Sequence, residues 1–538
     1  MPSDNNKVPA VSGPPDYPEP PKRPNVPTTF EVHVDCKITN KNMSTEIHEY
    51  YDYNNNRGLL HQVQDGEPFY LYYDYNTNEM LSIFPNERIC YADALSTDKN
   101  TFLFGYEGSG GKGYIFPPSG ALHFEFDDET SAYLGPGVVR GIRVRRWYAC
   151  QYVDQMDATV NVYWSFSDPN NWDTAVGYPE IPVRCQVNGV ATEVRHNYTH
   201  NFTHTYDFLH FQNFITRPDV FETPDEIVCP GRKNTKALPS LPDAFSFTME
   251  AVSTANHQVT FLREWYDYQM QLVRLEYSPG PAQMLKYGPR PLTEIHDFST
   301  GVAYIMDREL GNCSVTPIER SQLGDVVLSG DLTTVHLRTA QQFFYLDKVQ
   351  PVYLGQKTVR GISCDAWVAN GSVTNASSTW EWCFRAANWT SVEDARAQTG
   401  SPSGTPVQMK LLLADAQYDF NFYHFVRADP DVLRYDVSSC FTSTRRRKFD
   451  FAVSGQFAAT VQKNLRQFRV AVQNAIIKVT GLSPLRIVEI QIGSMTVLST
   501  SLVEYWVVSQ PSSSTATYPN DSHGVRDKGS AEQPGHWK

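Results

Sequence analysis

Apolar and polar residues alternate in short runs along most of this chain. Val160, Val162, Trp164 and Phe166 share one side of such a run, and Trp380, Trp382 and Phe384 share one side of a later one. Leu122, Phe124 and Phe126 alternate with His123 and Glu125 in the same manner. A period of two places each set on one face of a β-strand, so the pattern predicts sheets with one strongly aromatic face. Helical signals occur in two places. Thr390 and Glu393 stand at capping-box spacing and predict a short helix through Arg396, which has to end before the turn-rich GSPSGTP at Gly400. Val461, Leu465, Phe468, Val472, Ile476 and Val479 recur as one helix face, closed by Gly481 and Pro484.

The strand pattern occurs twice. YLGPGVVRGI begins at Tyr133 and YLGQKTVRGI at Tyr353, 220 residues later. EYYDY at Glu49 returns as EWYDY at Glu264, Trp147 as Trp367, Trp164 as Trp382, and the Asn171–Trp172 pair as Asn388–Trp389. Tyr-Asp-Phe at Tyr206 returns at Tyr418, Pro-Asp-Val at Pro218 returns at Pro430, and Cys229 returns as Cys440. The order never breaks, so a unit of roughly 200 residues is duplicated in tandem, long enough for each copy to be its own domain. Residues 30–231 and 243–441 are the two domains, after a disordered Pro-rich leader over 1–29 and joined by a linker over 232–242. The segment from Trp172 to Val176 is the first copy's counterpart of the short helix. A basic linker over 442–448, with Arg445-Arg-Arg-Lys448, leads to a third unit over 449–510. There a strand, the amphipathic helix and further strands from Leu485 to Val508 predict a small α+β module, followed by a disordered Ser-rich tail over 511–538.

The duplication suggests how the nine cysteines pair. Cys90 and Cys229 lie near the two ends of copy one, as Cys313 and Cys440 do in copy two, and both are expected as long-range disulfides. Cys150–Cys185 and Cys364–Cys383 are the expected local pairs, leaving Cys36 as a free thiol or an intermolecular link. No CxxC or Cys/His spacing suggests zinc. Sequons at Asn42, Asn197, Asn201, Asn312, Asn370, Asn375, Asn388 and Asn520 point the same way as the cysteines, to the secretory pathway. The amino terminus lacks the apolar core of a secretory signal. The expectation is therefore an extracellular or cell-surface ectodomain whose signal and any anchor lie outside this chain.

Composition narrows the partners. At 41% hydrophobic residues the chain can bury sizeable cores, and 13% aromatics favour strands. The net charge of −13 opposes binding to nucleic acid or an anionic membrane surface. The most apolar stretch, Ile487 to Val508, contains Glu489, Gln491 and Glu504 and alternates as strands do, so no transmembrane segment is expected.

The paired phrase YLG…VRGI…W, the W-x-F strand, the later YDF and the closing Cys resemble the tandem LolA-like domains of metazoan extracellular or membrane-anchored proteins, over roughly Phe30 to Phe441. That resemblance implies a β-rich α+β fold: two tandem incomplete antiparallel β-barrels with short helical lids over an apolar concavity. It supplies no catalytic residues. The terminal module resembles a SEA-like, ferredoxin-like domain, and Gly493-Ser494-Met495-Thr496-Val497 is similar to that family's GSVVV self-cleavage site, departing at Met495 and Thr496. The resemblance makes Gly493–Ser494 the candidate cleavage site, beside the reading of an ordinary strand junction.

Little chemistry is written in motifs. GYEGSGGKGY at Gly105 fails the phosphate-loop pattern at Tyr106 and after Lys112, and reads as a hairpin loop. His196, His200, His204 and His210 are spaced for a helical metal face, but Asn, Tyr, Thr and Phe between them, with two sequons, make a strand or loop and no metal site. GxSxG and HExxH are lacking, so neither enzyme chemistry nor a cofactor is expected. Phe124, Trp164, Phe166, Trp382 and Phe384 are the candidate ligand-binding surface, with core packing as the alternative. Two functions follow: a carrier of lipid or another apolar ligand, or a filled, adhesive spacer acting through an unidentified extracellular protein partner.

Overall fold

The alternating runs become two antiparallel sheets of eleven strands, one per repeat. The structure, a computed structural model, describes residues 20–64, 66–95, 105–108, 112–116, 131–153, 158–175, 177–193, 198–318, 325–328, 334–373, 376–390, 404–427, 432–453, 461, 463–495 and 500–508. The first sheet takes β1 (Thr29–Ile38), β2 (Met43–Asp52), β3 (Arg57–Gln64), β4 (Glu67–Asp74), β5 (Glu79–Phe84) and β6 (Ile89–Ala94). It continues with β9 (Ser131–Val139), β10 (Ile142–Val153), β11 (Ala158–Ser167), β12 (Pro182–Glu193) and β13 (Tyr198–Gln212), while β7 (Gly105–Glu107) and β8 (Gly113–Ile115) form a separate hairpin. The strand order is β6-β5-β4-β3-β2-β1-β13-β12-β11-β10-β9, an open sheet with β6 and β9 at its edges.

The second sheet repeats this plan. It holds β14 (Ala244–Ser253), β15 (Gln258–Asp267), β16 (Leu272–Tyr277), β17 (Leu292–Asp297), β18 (Val302–Asp307) and β19 (Cys313–Pro317). After the hairpin β20 (Val326–Leu328) and β21 (Val335–Leu337) come β22 (Val352–Val359), β23 (Ile362–Val373), β24 (Ala376–Arg385), β25 (Pro406–Leu412) and β26 (Gln417–Val426). Their order, β19-β18-β17-β16-β15-β14-β26-β25-β24-β23-β22, is the first sheet's advanced by thirteen strands. Register agrees with topology: Phe30 faces Tyr51 as Phe245 faces Tyr266, and Trp147 faces Trp164 as Trp367 faces Trp382. One repeated phrase does slip. Tyr206 pairs with Cys36, but the residue at that place in the second sheet is Phe420, paired with Ala251, and not Tyr418. A slip of two residues keeps every side chain on its face, which is why the phrase survives the shift.

Two short helices belong to the second repeat, α1 (Pro281–Tyr287) and α2 (Ala340–Phe343). Trp172 to Ala175 form no helix, Val176 lies outside the described residues, and so does the helix expected at Thr390–Arg396 beyond Thr390 itself.

The terminal module has β27 (Arg446–Val453), the helix α3 (Leu465–Thr480), β28 (Ile487–Met495) and β29 (Thr500–Val508), with β29 between the other two strands. That is the split βαβ arrangement. Phe468, Val472 and Ile476 pack as the periodicity requires and Val461, ahead of the helix, is buried too, while Leu465 and Val479, in the first and last turns of the helix, stay exposed. Gly481, at a φ of 64°, closes the helix in the left-handed conformation that glycine adopts without strain. The basic run is no linker, because Arg446 to Lys448 open β27 and Arg446 pairs with Glu489 at 2.7 Å. Leu485, Val488 and Val508 of the module share one core with Trp265, Ile295, Val302 and Tyr304, on the outer face of the second sheet.

Disulfides join Cys90 to Cys229, Cys313 to Cys440 and Cys364 to Cys383. Cys150 and Cys185 are not bonded; both carry free thiols, as does Cys36. Strand β11 separates their strands, and the faces are opposite: Cys185 stands opposite buried Trp164 on the inner face, whereas Cys150 alternates with inward Ala149 and points out.

Candidate functional site

The inner faces of the two sheets carry the aromatic side chains foreseen in the sequence. Trp164, Phe166, Trp382 and Phe384 are exposed by 2% or less, and Phe124 lies outside the described residues. All four are core anchors: Trp164 stacks on Phe166 at 5.5 Å, and Trp367 meets Phe384 edge-on at 5.7 Å.

In the second domain the concavity is filled by the chain itself. Thr339 caps α2 by accepting from the Gln342 N–H at 3.3 Å, and Gln342 Oε1 accepts from the Thr339 N–H at 3.0 Å. This reciprocal capping box fixes one helical turn and aims the next two residues inward. Phe343 and Phe344 are thereby fully buried against Phe245, Phe247 and Phe422, and Trp382 Nε1 donates to the Phe344 carbonyl at 2.8 Å.

Beside this plug lies a buried ionic cluster that no motif announces. His296, fully enclosed, bonds through Nε2 to Glu294 Oε1 at 2.8 Å and through Nδ1 to Asp325 Oδ2 at 3.1 Å. Tyr277 donates to Glu294 Oε2 at 2.6 Å. Glu264, also buried, faces the same interior. Burial by itself lowers the His296 pKa, but the Asp325 and Glu294 carboxylates outweigh it and raise it to about 10. Glu264 is held well above the usual carboxylate range, first by desolvation and then by the charge of Asp325. A cationic imidazole thus sits between two carboxylates, with Glu264 as a third acid alongside. With Glu264, Glu294, His296 and Asp325 each exposed by 1% or less, the cluster can hold charge and specify packing but presents no reacting group to solvent.

The duplication provides an internal control. Ladder register places Glu49, Gln62, Leu71 and Tyr73 of the first domain where the second has Glu264, Tyr277, Glu294 and His296. Only the glutamate of the EYYDY phrase is shared, and desolvation raises the Glu49 pKa to about 7. The fold therefore does not require the ionic cluster.

The inner face of the first domain differs in a second way. Leu60 on β3 stands opposite Leu71 on β4, with Ile47 on β2 diagonal to Leu60 and next to Glu49 on the same face; these three apolar side chains are only partly buried, whereas their counterparts Leu262, Leu275 and Glu294 are buried. This strip was not singled out by sequence reasoning; the signal was present as Leu-Leu at 59–60, one residue for each face.

Among the sequons, Asn42, Asn201, Asn312, Asn370 and Asn388 are exposed, and Asn197, Asn375 and Asn520 lie outside the described residues. Gly493 and Ser494 lie within β28 in regular register with Leu502 and Ser501, while Thr496 and Val497 are outside the described residues. His200, His204 and His210 all belong to β13, and His196 is outside the described residues. Among the described residues, no helix is long and apolar enough to cross a membrane.

A family model described as the metazoan second LolA-like domain matches the sequence twice, over residues 15–222 and 224–441. No curated protein matches it. Among solved structures, an uncharacterized conserved protein from Thermus thermophilus aligns at 10% identity and a TM-score of 0.21, covering 36% of this chain and 84% of that one. LprF from Mycobacterium bovis aligns at 8% and 0.22, over 35% of this chain and 88% of that one. A putative outer membrane lipoprotein-sorting protein domain from Vibrio parahaemolyticus aligns at 10% and 0.17, over 36% and 88%. With TM-scores this low, the three likenesses add nothing to what the family match shows.

Proposed function

Because the chain belongs to the metazoan LolA-like domain family, with two copies of the domain, we propose that it is a non-enzymatic extracellular ectodomain whose first LolA-like domain binds an apolar ligand on its inner face. The second domain acts as its filled, rigid companion. The observation that carries this reading is the partly buried strip of Ile47, Leu60 and Leu71, at positions which the second domain closes completely. A hydrocarbon laid along that strip removes further apolar surface from water, at about 0.8 kcal/mol for each CH₂ covered. The three disulfides and five exposed sequon asparagines support passage through the secretory pathway. The split βαβ order of the terminal module supports the SEA-like reading of that unit. The plug of Phe343 and Phe344 favours the spacer reading for the second domain; the corresponding positions of the first, within 117–130, lie outside the described residues.

The glycosylated chain, secreted from animal cells and extracted with organic solvent, should yield a lipid in stoichiometric amount by mass spectrometry. A fluorescent fatty-acid probe should then bind the delipidated protein. Leu71→Glu, which imports the residue found at this place in the second domain, should weaken that binding about tenfold or more, as losing contact with two CH₂ groups already costs roughly 1.5 kcal/mol. Absence of extractable lipid, together with equal probe binding by Leu71→Glu, would leave the spacer reading for both domains.

A further inference from the structure

Four histidines and a tyrosine form a ladder across the outer face of the first sheet. His33 on β1 stands directly opposite His48 on β2, His48 opposite His61 on β3, and His61 opposite Tyr70 on β4. The rings follow this register: His33 and His48 stack at 3.6 Å between centroids, His48 meets His61 at 5.4 Å, and His61 stacks on Tyr70 at 4.4 Å. His210 approaches His33 from the other side at 5.1 Å, carried there by a backbone turn at a φ of 49° that interrupts the β1–β13 ladder. Glu46, two residues before His48 on the same face of β2, places Oε1 3.3 Å from His48 Nε2.

We propose that His33, Glu46 and His48 form a binding site for a divalent late transition-metal ion, with zinc as the reference ion. The donor atoms of the three residues all lie within 4.8 Å of one another. Bonds of about 2.0–2.2 Å from zinc to imidazole nitrogen and carboxylate oxygen put tetrahedral ligands roughly 3.3 Å apart, which the Glu46–His48 pair already satisfies. The opposed register of β1 and β2 brings the two imidazoles together; because each ring directs its lone pair within its own plane, His33 has to turn out of its stack on His48 to share an ion with it.

His61 extends the site. Its Nε2 is buried and has no hydrogen-bond partner among the described residues, and its ring adjoins His48. His61 on one side and His210 on the other are the candidates for a fourth ligand; otherwise that position is open to water or to a carboxylate from another molecule, as in zinc sites with three protein ligands. The second domain lacks the set, having Thr248, Arg263 and Glu276 at the places of His33, His48 and His61. Arg263 there lies over Trp265 at 4.7 Å. The ladder is thus confined to the first domain and is not required by the sheet.

The test uses the full chain, purified without a histidine tag and stripped with a chelator, then titrated with zinc against a chromogenic competitor. One tight equivalent per chain is expected. His48→Ala should lower the affinity at least tenfold, since even residues that only support a ligand cost ten- to hundredfold when lost. Glu46→Gln, at an exposed position where folding is safe, should also weaken binding, and the pair His200→Ala and His204→Ala should leave it unchanged. Cobalt substitution should give the visible bands of a nitrogen- and oxygen-ligated ion, without a thiolate charge-transfer band. No tight equivalent, an equivalent unchanged in Glu46→Gln and His48→Ala, or a thiolate band would each overturn the assignment.

Discussion

Replacement of His296 by alanine should destabilise the second domain by about 3–5 kcal/mol, because removing one partner of a buried ion pair leaves the others uncompensated. Glu294 and Asp325 are each about 1% exposed, and both would lose their cationic partner at once. Chemical denaturation of the whole chain, with hydrogen exchange in β15 to β18 to locate the loss, measures the effect. A loss below about 1 kcal/mol would mean that the two carboxylates are satisfied without the imidazole. The pH dependence is a second readout. The His296 pKa rises from 6.5 to about 10 on folding, so its contribution is complete below pH 6.5 and disappears as pH climbs through 10. Glu264 is shifted in the same sense, from 4.5 to well above it, so its proton too favours the folded state only on the acid side. The second domain should therefore lose stability between pH 6.5 and 10, and His296→Ala should flatten that slope. Asp207 in the first domain behaves oppositely. Burial alone raises its pKa, but hydrogen bonds from Arg184 and Lys37 and the charge of Arg140 bring it to about 2, so its contribution holds above 3.8 and is lost as pH falls through 2.

The strands and the duplication were readable because both rest on local regularities. A period of two marks a strand wherever one face is buried, and an ordered set of phrases marks a repeated unit whatever its fold. The ionic cluster was hidden by the same rule. In Leu292-Thr-Glu-Ile-His-Asp the alternation admits two faces, and an expectation that polar residues face water turns Glu294 and His296 outward. They point inward because Asp325, beside the β20–β21 hairpin, supplies a partner that no local pattern could place there. The histidine ladder was missed for a related reason: its members come from separate strands and meet only through register. Spacing along one strand had instead drawn attention to His200 and His204. The local disulfide expected at Cys150 and Cys185 failed because nearness along the chain does not fix the face of the sheet.

Loss of the Cys313–Cys440 bond should be the most damaging single disulfide removal in the second domain and should loosen the terminal module with it. The bond spans 127 residues, and the loop-entropy model assigns a closure of that length about 5 kcal/mol, against about 3 kcal/mol for the 19-residue separation of Cys364 and Cys383. Position adds to length. Both sulfurs border the core in which Trp265, Tyr304, Tyr435 and Phe441 meet Leu485, Val488 and Val508 of the module. Cys440 is also only a few residues from Arg446, which opens β27 and donates to the Phe441 carbonyl at 3.0 Å. A released Cys440 therefore frees the segment that seats the module as well as the edge strand β19. In the Cys313→Ser, Cys440→Ser double variant, limited proteolysis should cut between Phe441 and Arg447, and hydrogen exchange should rise in β18, β27 and β29 together. The Cys364→Ser, Cys383→Ser variant should lose stability by the smaller amount, with its exchange confined to β23 and β24. If the module keeps its full protection after Cys313 and Cys440 are replaced, the shared apolar core alone holds it, and the disulfide serves only the sheet to which β19 belongs.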